Sequence, residues 1–290
     1  MKTAVLILNP IAGRGTGSGL LAVLQADLER AGFSLEVVRP ESPEEVRTLA
    51  ASLEGSAELL IVGGGDGTVS QVVRGLRRRT TPIAILPLGT ANVLAQELGI
   101  GLSPRKAIEV IVKGKPRPWN VGLANGERFL SFLGAGFDAQ VALEVHRFRT
   151  GNIGYEHYLW PVLKTFAFLE SPSITVEIDG KKFPRPVAQV VISNLRRYAS
   201  FFELTQDIRP DDGLLDICLF SGKGRLNLAR YMVSMFFRAL PTLDDVTFLR
   251  GKRVVLSSEE RVPYQVDGDP AGDLPVEVGL EREPLYLMVP

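Results

Sequence analysis

The sequence predicts an α/β domain with a parallel sheet, followed by a second, β-rich domain. Strand-type and helix-type segments alternate along the first third of the chain, which is typical of a parallel sheet covered by helices. After about residue 118 this alternation gives way to short β-type runs joined by Asn-Gly and Asp-Gly dipeptides, which favour tight hairpin turns. The 290 residues are enough for each domain to bury a core of its own.

The first domain begins with a short apolar run at residues 4–8, which predicts a strand buried on both faces. Leucines at helical spacing predict a helix over residues 19–31, and residues 35–38 form the second predicted strand. Ser42 and Pro43 begin the next helix as its cap and first residue, and Glu45 completes a capping box.

The rest of the first domain repeats this alternation. The predicted strands cover residues 58–62 and 83–86, and the helices that follow them end near residues 78 and 99. A last helix begins at Ser103 and ends at Gly114.

Seven apolar runs and three longer stretches organise the second domain. The predicted strands cover residues 119–123, 129–133, 174–178, 187–193, 214–220, 253–256 and 262–266, and the predicted helices lie near residues 138–148, 155–168 and 225–240.

Composition excludes several classes of protein. Lys+Arg and Asp+Glu are equal at 33 each, which argues against a dedicated nucleic-acid binder. The single cysteine, Cys218, lies in an apolar run and is interpreted as a small buried hydrophobe, which fits the cytoplasm. The two histidines lie outside any Cys/His cluster, so no zinc site is predicted. No apolar run is long enough to predict a membrane span.

Two glycine-rich loops carry the first functional prediction. Residues 9–15 (Asn-Pro-Ile-Ala-Gly-Arg-Gly) follow the first strand, and residues 63–68 (Gly-Gly-Gly-Asp-Gly-Thr) follow the third. Glycines let a backbone approach phosphate oxygens, and the start of a helix offers free N–H groups. Because open α/β sheets bind ligands at the carboxyl ends of strands, two such loops predict a phosphate site better than one, although plain turns remain the alternative.

Asp66 is the acidic member of the second loop. A carboxylate beside phosphates is repulsive unless a cation intervenes or the group handles a proton, so Asp66 predicts a Mg²⁺ or general-base role. A third loop at the end of a strand, residues 87–92, contains Thr90. That side chain is either a helix cap or a cap that also touches phosphate.

Six short motifs occur in order along nearly the whole chain. They are Asn9-Pro10-x-Ala12-Gly13, Gly64-Gly65-Asp66-Gly67-Thr68, Pro87-Leu88-Gly89-Thr90-x-Asn92, Gly134-x-Gly136-Phe137-Asp138-Ala139, Asp212-Gly213-x-Leu215-Asp216 and Asp267-Gly268. Together they resemble the diacylglycerol kinase catalytic family, which includes bacterial lipid kinases and sphingosine and ceramide kinases. The Gly-Gly-Asp-Gly-Thr element alone is shared with NAD kinases, so the full series carries the resemblance.

The resemblance implies an ATP-binding α/β domain over residues 1–118, with a parallel sheet like those of NAD kinase and phosphofructokinase. It implies a β-sandwich-like lipid-acceptor domain over residues 119–275, and a C-terminal segment, 276–290, that returns to the first domain. The implied activity is transfer of the γ-phosphoryl group of ATP, with Mg²⁺, to a hydroxyl of a diacylglycerol-like lipid at the cleft between the domains.

The resemblance also implies the site residues. Asp66 is expected near the phosphates and a metal ion, and Asp269 is expected to act as the catalytic base. Asp212, with the backbone carbonyls of Arg209 and Leu214, resembles a structural Mg²⁺ loop of some bacterial members, with a plain Asp-Asp-Gly turn as the alternative. The expected nucleotide-binding residues are Asn9, Pro10, Gly13, Arg14, Gly15, Gly64, Gly65, Asp66, Gly67, Thr68, Gly89, Thr90 and Asn92.

Several positions depart from the family pattern. Val93 and Asn120 stand where the family commonly has Asp, and neither is a carboxylate. Asp269 stands where the family has the Glu proposed as its base, so the carboxylate's reach is shorter by about 1–1.5 Å. The glycine-rich stretch that the family has after Asn194 is here Tyr-Ala-Ser-Phe, residues 198–201. A thinner metal network is therefore expected, with reduced or retargeted activity as an alternative outcome.

The expected partners are a lipid substrate and, transiently, the inner face of a membrane. No nucleic acid is expected, and the sequence leaves open whether the chain forms a homodimer. Residues 225–243 and 155–168 mix aromatic or aliphatic and basic side chains, which favours either a membrane-surface helix or ordinary core packing. Two other functions remain alternatives: a kinase of a soluble acceptor such as NAD, and a non-catalytic protein that binds nucleotide or lipid.

Overall fold

In the computed structural model of the protein, the described residues are 1–12, 18–77, 80–148, 156–167, 171–198, 202–205 and 207–290. They form two compact units, Met1–Trp119 together with Glu283–Pro290, and Asn120–Arg282. Among the described helices, none combines the length and the apolar character that crossing a membrane requires.

The elements are numbered in chain order. The strands are β1 (Lys2–Leu8), β2 (Phe33–Val38), β3 (Leu59–Gly64), β4 (Ile83–Pro87), β5 (Lys115–Trp119), β6 (Gly122–Ala124), β7 (Glu127–Phe129), β8 (Phe132–Ala135), β9 (Thr175–Ile178), β10 (Lys181–Lys182), β11 (Gln189–Ser193), β12 (Arg197–Tyr198), β13 (Phe202–Glu203), β14 (Leu215–Phe220), β15 (Val246–Gly251), β16 (Val254–Ser257), β17 (Pro263–Val266), β18 (Asp269–Asp273), β19 (Val276–Leu280) and β20 (Leu285–Val289). The helices are α1 (Ser18–Arg30), α2 (Pro43–Leu53), α3 (Asp66–Gly75), α4 (Val93–Glu97), α5 (Pro104–Lys113), α6 (Phe137–Phe148), α7 (Glu156–Ala167) and α8 (Arg225–Phe236), with a 3₁₀ turn at Leu240–Thr242.

The first unit contains a six-stranded sheet in the order β2-β1-β3-β4-β20-β5. Neighbouring strands from β2 to β20 are parallel, and only β5 is antiparallel to its neighbour. The middle strands are buried on both faces, as the continuous apolar runs predicted; Leu6, Leu60 and Ile61 are examples. The predicted α/β domain is therefore confirmed.

Strand β5 was not predicted, because two of its five residues are prolines that cannot donate to a ladder. The structure places it at the edge of the sheet, beside β20, where each proline needs no partner on its outer side.

The C-terminal segment that lies in the first unit is shorter than predicted. Only Glu283–Pro290 belongs to that unit, whereas the prediction began at residue 276. Strand β19 instead pairs with β16 and β6 in the second unit. The reason is that buried apolar residues alternate with other residues along β19, so Val276 and Val278 point into the core of that unit.

The second unit contains two antiparallel six-stranded sheets, in the orders β10-β9-β16-β19-β6-β7 and β15-β14-β11-β8-β17-β18. Residues of both sheets form one buried cluster, so the predicted sandwich-like domain is confirmed. On β11, Val190 and Ile192 face this cluster, while Val191 faces a separate cluster that includes Cys218 and Tyr231 of β14 and α8. Cys218 is buried, as its apolar context indicated, and burial raises the pKa of its thiol.

Candidate active site

The connections after β1 and β3 are joined by hydrogen bonds. The Asn9 side-chain amide donates to the Thr68 hydroxyl at 3.0 Å, and the Asn9 backbone N–H donates to the Gly63 carbonyl at 2.9 Å. The Asn9 side-chain oxygen accepts the N–H of Ile11 at 3.0 Å, which shapes the first loop. These hydrogen bonds therefore hold the described parts of the two connections together at the carboxyl end of the sheet.

The connections after β3 and β4 touch through glycine backbones. A Cβ atom at Gly89 would lie 2.4 Å from the Cα of Gly65, and one at Gly64 would lie 2.5 Å from the Thr68 hydroxyl. The side chain of Asn92 accepts the N–H of Gly89 at 3.0 Å and donates to its carbonyl at 2.8 Å. Gly89 is thus required for the two loops to meet, and Gly64 leaves room for Thr68 within its own loop, in addition to any approach of phosphate that the sequence suggested.

The carboxylate of Asp66 fastens the third connection to the fourth. Asp66 lies at the start of α3, and its two oxygens accept the backbone N–H groups of Val93 and Leu94, each at 3.0 Å. At the start of α4 these amides have no partner within their own helix, and Asp66 supplies one. Asp66 therefore caps a helix that lies 27 residues further along the chain. Burial raises the pKa of the Asp66 carboxyl, while the amide hydrogen bonds, that of Leu94 first, oppose the rise.

This arrangement bears on two predictions. Asp66 was expected to serve a metal ion and phosphates, and that role stays a prediction; the contact that was not predicted is that both of its oxygens accept helix amides. Thr90 was expected to cap the helix, yet the residue at the N-cap of α4 is Asn92, in the left-handed region at φ 47°, with no side-chain cap bond. At Val93, where the family commonly has Asp, the backbone N–H makes the contact and the side chain is buried.

The remaining predicted nucleotide-binding residues divide into two groups. Pro10, Gly67 and Thr90 are exposed, and a Cβ atom at Gly67 would meet nothing within 4 Å. Gly13, Arg14 and Gly15 lie outside the described residues. Ala199, Ser200 and Phe201, from the stretch that departs from the family pattern, lie outside them as well.

In the second unit, hydrogen bonds fix the turn that precedes Asp269. The carboxylate of Asp267 accepts the backbone N–H groups of Leu130, Ser131 and Phe132 at 3.0, 2.8 and 3.2 Å. Asp267 and Gly268 both have positive φ angles, 52° and 89°, as the dipeptide predicted. Asp269 follows as the first residue of β18.

A buried glutamine, which the sequence gave no reason to single out, links this turn to Asp138. The side chain of Gln265 donates to an Asp138 oxygen at 3.0 Å and accepts the N–H of Gly268 at 2.7 Å. The Tyr198 hydroxyl donates to the same Asp138 oxygen at 3.0 Å. Burial raises the pKa values of Asp138 and Tyr198. The position of Asp269 therefore depends on a network that extends to α6.

The predicted Mg²⁺ loop has a different set of contacts. One Asp212 oxygen accepts the N–H of Leu214 at 3.0 Å, and the other accepts a guanidinium N–H of Arg250 at 3.2 Å. The Leu214 carbonyl faces the side-chain amide of Asn120 at 3.4 Å. Across the described part of the chain, no group of three His, Cys, Asp or Glu residues could hold a metal. Because N–H donors face two of the three predicted metal ligands, Asp212 and the Leu214 carbonyl, this loop does not fit Mg²⁺.

Comparisons with known proteins agree with these two units. Residues 3–124 match the family model described as the diacylglycerol kinase catalytic domain. Residues 131–289, more than half of the chain, match the model described as the YegS C-terminal NAD kinase beta sandwich-like domain. These two domains together, the diacylglycerol kinase catalytic domain and the YegS C-terminal domain, define the family to which the chain belongs.

Members of this family resemble the chain over its whole length. A diacylglycerol kinase of Bacillus subtilis is 28% identical, over 100% of this chain and 97% of that protein. A diacylglycerol kinase of Mycobacterium tuberculosis is 27% identical, over 97% of this chain and 93% of that protein. A crystal structure of a diacylglycerol kinase from Bacillus anthracis has a TM-score of 0.79 at 22% identity, covering 100% of this chain and 97% of that one.

Proposed function

We propose that this protein is an ATP-dependent lipid kinase that transfers the γ-phosphoryl group of ATP to the free hydroxyl of diacylglycerol. Membership of the diacylglycerol kinase family supports a lipid kinase. The observation that carries the proposal is that the three connections after β1, β3 and β4 meet at the carboxyl edge of the first sheet. Open α/β sheets bind their ligands at this edge.

In the proposed mechanism, the phosphates of ATP contact the N-terminus of α3. That helix has ten residues, so the positive end of its dipole favours anions. Gly67 leaves open space there, because a Cβ atom at this position would meet nothing within 4 Å. Asn9 and Asp66 hold the neighbouring connections in place around the phosphates. Mg²⁺ enters with ATP as part of the substrate and offsets the phosphate charge.

Asp269 is the proposed base. It would accept the proton of the lipid hydroxyl as that oxygen attacks the γ-phosphorus, and the leaving group is ADP. Asp269 follows a turn fixed by Asp267 and Gln265, and a fixed carboxylate suits this task because proton transfer demands hydrogen-bond contact.

The acceptor is tested with purified protein, radiolabelled ATP and MgCl₂. Vesicles would contain dioleoylglycerol, ceramide or sphingosine, and NAD would be offered in a parallel reaction. We expect label in phosphatidic acid, the phosphorylated form of dioleoylglycerol. Label in NAD without label in any lipid would contradict the proposal, and ATP binding without transfer to any acceptor would favour the non-catalytic alternative.

We further propose that α8 contacts the membrane that carries this lipid. One face of α8 packs into the second unit through Leu228, Tyr231 and Met235, so core packing explains only that half of the helix. The opposite face and the residue after it expose large apolar side chains. They are Leu226 (90% exposed), Val233 (57%), Phe236 (63%) and Phe237 (71%).

Charge favours an anionic lipid surface as the occupant of this face. Residues 222–243 include four basic residues and no acidic residue. Two of the four, Arg230 and Arg238, pair with Asp245 and Glu203, while Lys223 and Arg225 are exposed near the start of the helix. Apolar and basic groups on one exposed helix are typical of interfacial binding. In the other predicted stretch, residues 155–168, the side chains of Tyr155, Tyr158, Trp160 and Phe168 lie outside the described part.

Replacing Phe236 and Phe237 together by Ser is expected to weaken flotation with phosphatidylglycerol-containing vesicles by at least about tenfold, because two large apolar side chains leave the bilayer. Activity on vesicles should fall, whereas activity on short-chain dioctanoylglycerol in solution should persist. Val23→Ser, an exposed apolar position on α1, is the control. Unchanged flotation of the double variant would contradict the proposal. It would also be contradicted if the substitutions abolished a dimer of the wild type and left vesicle binding unchanged.

A further inference from the structure

The loop at residues 207–216, where the sequence suggested a structural Mg²⁺, is contacted by the guanidinium of Arg250. The Nε atom donates to Asp216 at 2.7 Å and Nη1 donates to Asp212 at 3.2 Å. Nη2 donates to the backbone carbonyl of Asp207. One cationic side chain thus joins two carboxylates and a carbonyl of the same loop, which are the ligand types that a hard cation would use.

The position of Arg250 in the sheet makes this contact a fixed feature. Arg250 on β15 lies directly opposite Asp216 on β14 in the antiparallel ladder. Asp216 is buried, and its second oxygen accepts the backbone N–H of Arg209 at 3.3 Å. A planar guanidinium with several N–H donors suits such a forked contact better than an ammonium group would.

A second observation comes from Asn120, which stands where the family commonly has Asp. Its side-chain amide faces the Leu214 carbonyl at 3.4 Å, and its backbone N–H donates to the Pro210 carbonyl at 2.5 Å. A carboxylate at position 120 could accept hydrogen bonds but could not donate one to a carbonyl. The neutral amide therefore belongs to a loop that is closed by N–H donors and not by a metal ion.

We infer that Arg250 takes the place of a structural metal ion in this protein, so that the 207–216 loop folds without Mg²⁺. The inference is independent of the proposed function, because it concerns the stability of the second unit and not the transfer of phosphate.

The test is thermal unfolding of the full chain without nucleotide, in EDTA and in MgCl₂, with metal analysis after dialysis. We expect the same unfolding temperature in both solutions and no stoichiometric Mg²⁺. Arg250→Ala should lower the unfolding temperature by about 5 °C, since it leaves two carboxylates without their cation, and MgCl₂ should not restore it.

Arg261→Ala is the matched control, because Arg261 forms an exposed ion pair with Asp273 through one nitrogen and should contribute little. If Arg250→Ala does not fold, Arg250→Lys is the second variant. It keeps the charge but cannot bond both carboxylates and the carbonyl at once, so it should give a smaller loss of stability. One bound Mg²⁺ per wild-type chain, or a lower unfolding temperature in EDTA, would overturn the inference. Rescue of either Arg250 variant by MgCl₂ would overturn it too.

Discussion

Replacing Asp269 by Asn is expected to lower kcat for diacylglycerol phosphorylation by about 10²- to 10⁴-fold, with little change in the KM for ATP. This is the range that a general base contributes, and Asn cannot accept the proton. The measurement is steady-state transfer from radiolabelled ATP to dioleoylglycerol in mixed vesicles, with both substrates varied. Because Asn has nearly the shape of Asp, the turn held by Asp267 and Gln265 should remain intact.

Two further variants make this experiment specific. Asp273→Asn removes a carboxylate from the same strand, β18, where Asp273 pairs with the exposed Arg261, so kcat should stay near that of the wild type. Asp269→Glu introduces the family residue and should retain or raise kcat, because it extends the same carboxylate by one methylene. A kcat of Asp269→Asn close to the wild-type value would remove Asp269 from the mechanism.

The sequence predicted the elements of the first unit well because their signals are local. The apolar run at residues 4–8 became β1, and Ser42 caps α2 by accepting the N–H of Glu45 at 3.1 Å, as the capping box predicted. Glu45 differs in one detail, since its carboxylate accepts the N–H of Glu41. Local patterns therefore determine which elements form and where they begin.

The contacts that build the site could not be predicted, because they join distant positions. Asn9 and Thr68 are 59 residues apart, and Gln265 and Asp138 are 127 apart. No periodicity connects such pairs, and nothing in the sequence distinguishes Gln265 from other polar residues in the predicted strands. Arg250 was missed for another reason: no strand was predicted at β15, so nothing placed its side chain opposite Asp216.

Asp66 makes a contact that its motif did not predict, and its role near a metal ion stays a prediction. Its motif marked it as important, and the chemistry of a carboxylate beside phosphates suggested a metal. That argument assumed that no backbone donor was available to neutralise the charge. The start of α4 supplies two such donors, and a helix N-terminus favours a carboxylate.

Asp66→Asn is therefore expected to destabilise the protein even without nucleotide. The amide that replaces one oxygen would face the N–H of Val93 or Leu94, and leaving that buried donor unsatisfied costs about 1–3 kcal/mol. The affinity for ATP with Mg²⁺ should also fall, by about tenfold or more, because the loops after β3 and β4 lose their connection. Thermal unfolding without ligand and calorimetric titration with ATP measure the two effects.

The two measurements together separate the possible roles of Asp66. Glu44→Gln, in the exposed first turn of α2, is the control for losing an acidic residue at a helix start and should change both values little. A carboxylate that served only a metal ion would leave unfolding without nucleotide unchanged and would weaken only the Mg²⁺-dependent part of ATP binding. That pattern in Asp66→Asn would contradict the linking role, because a contact between two loops stabilises them whether or not a substrate is bound.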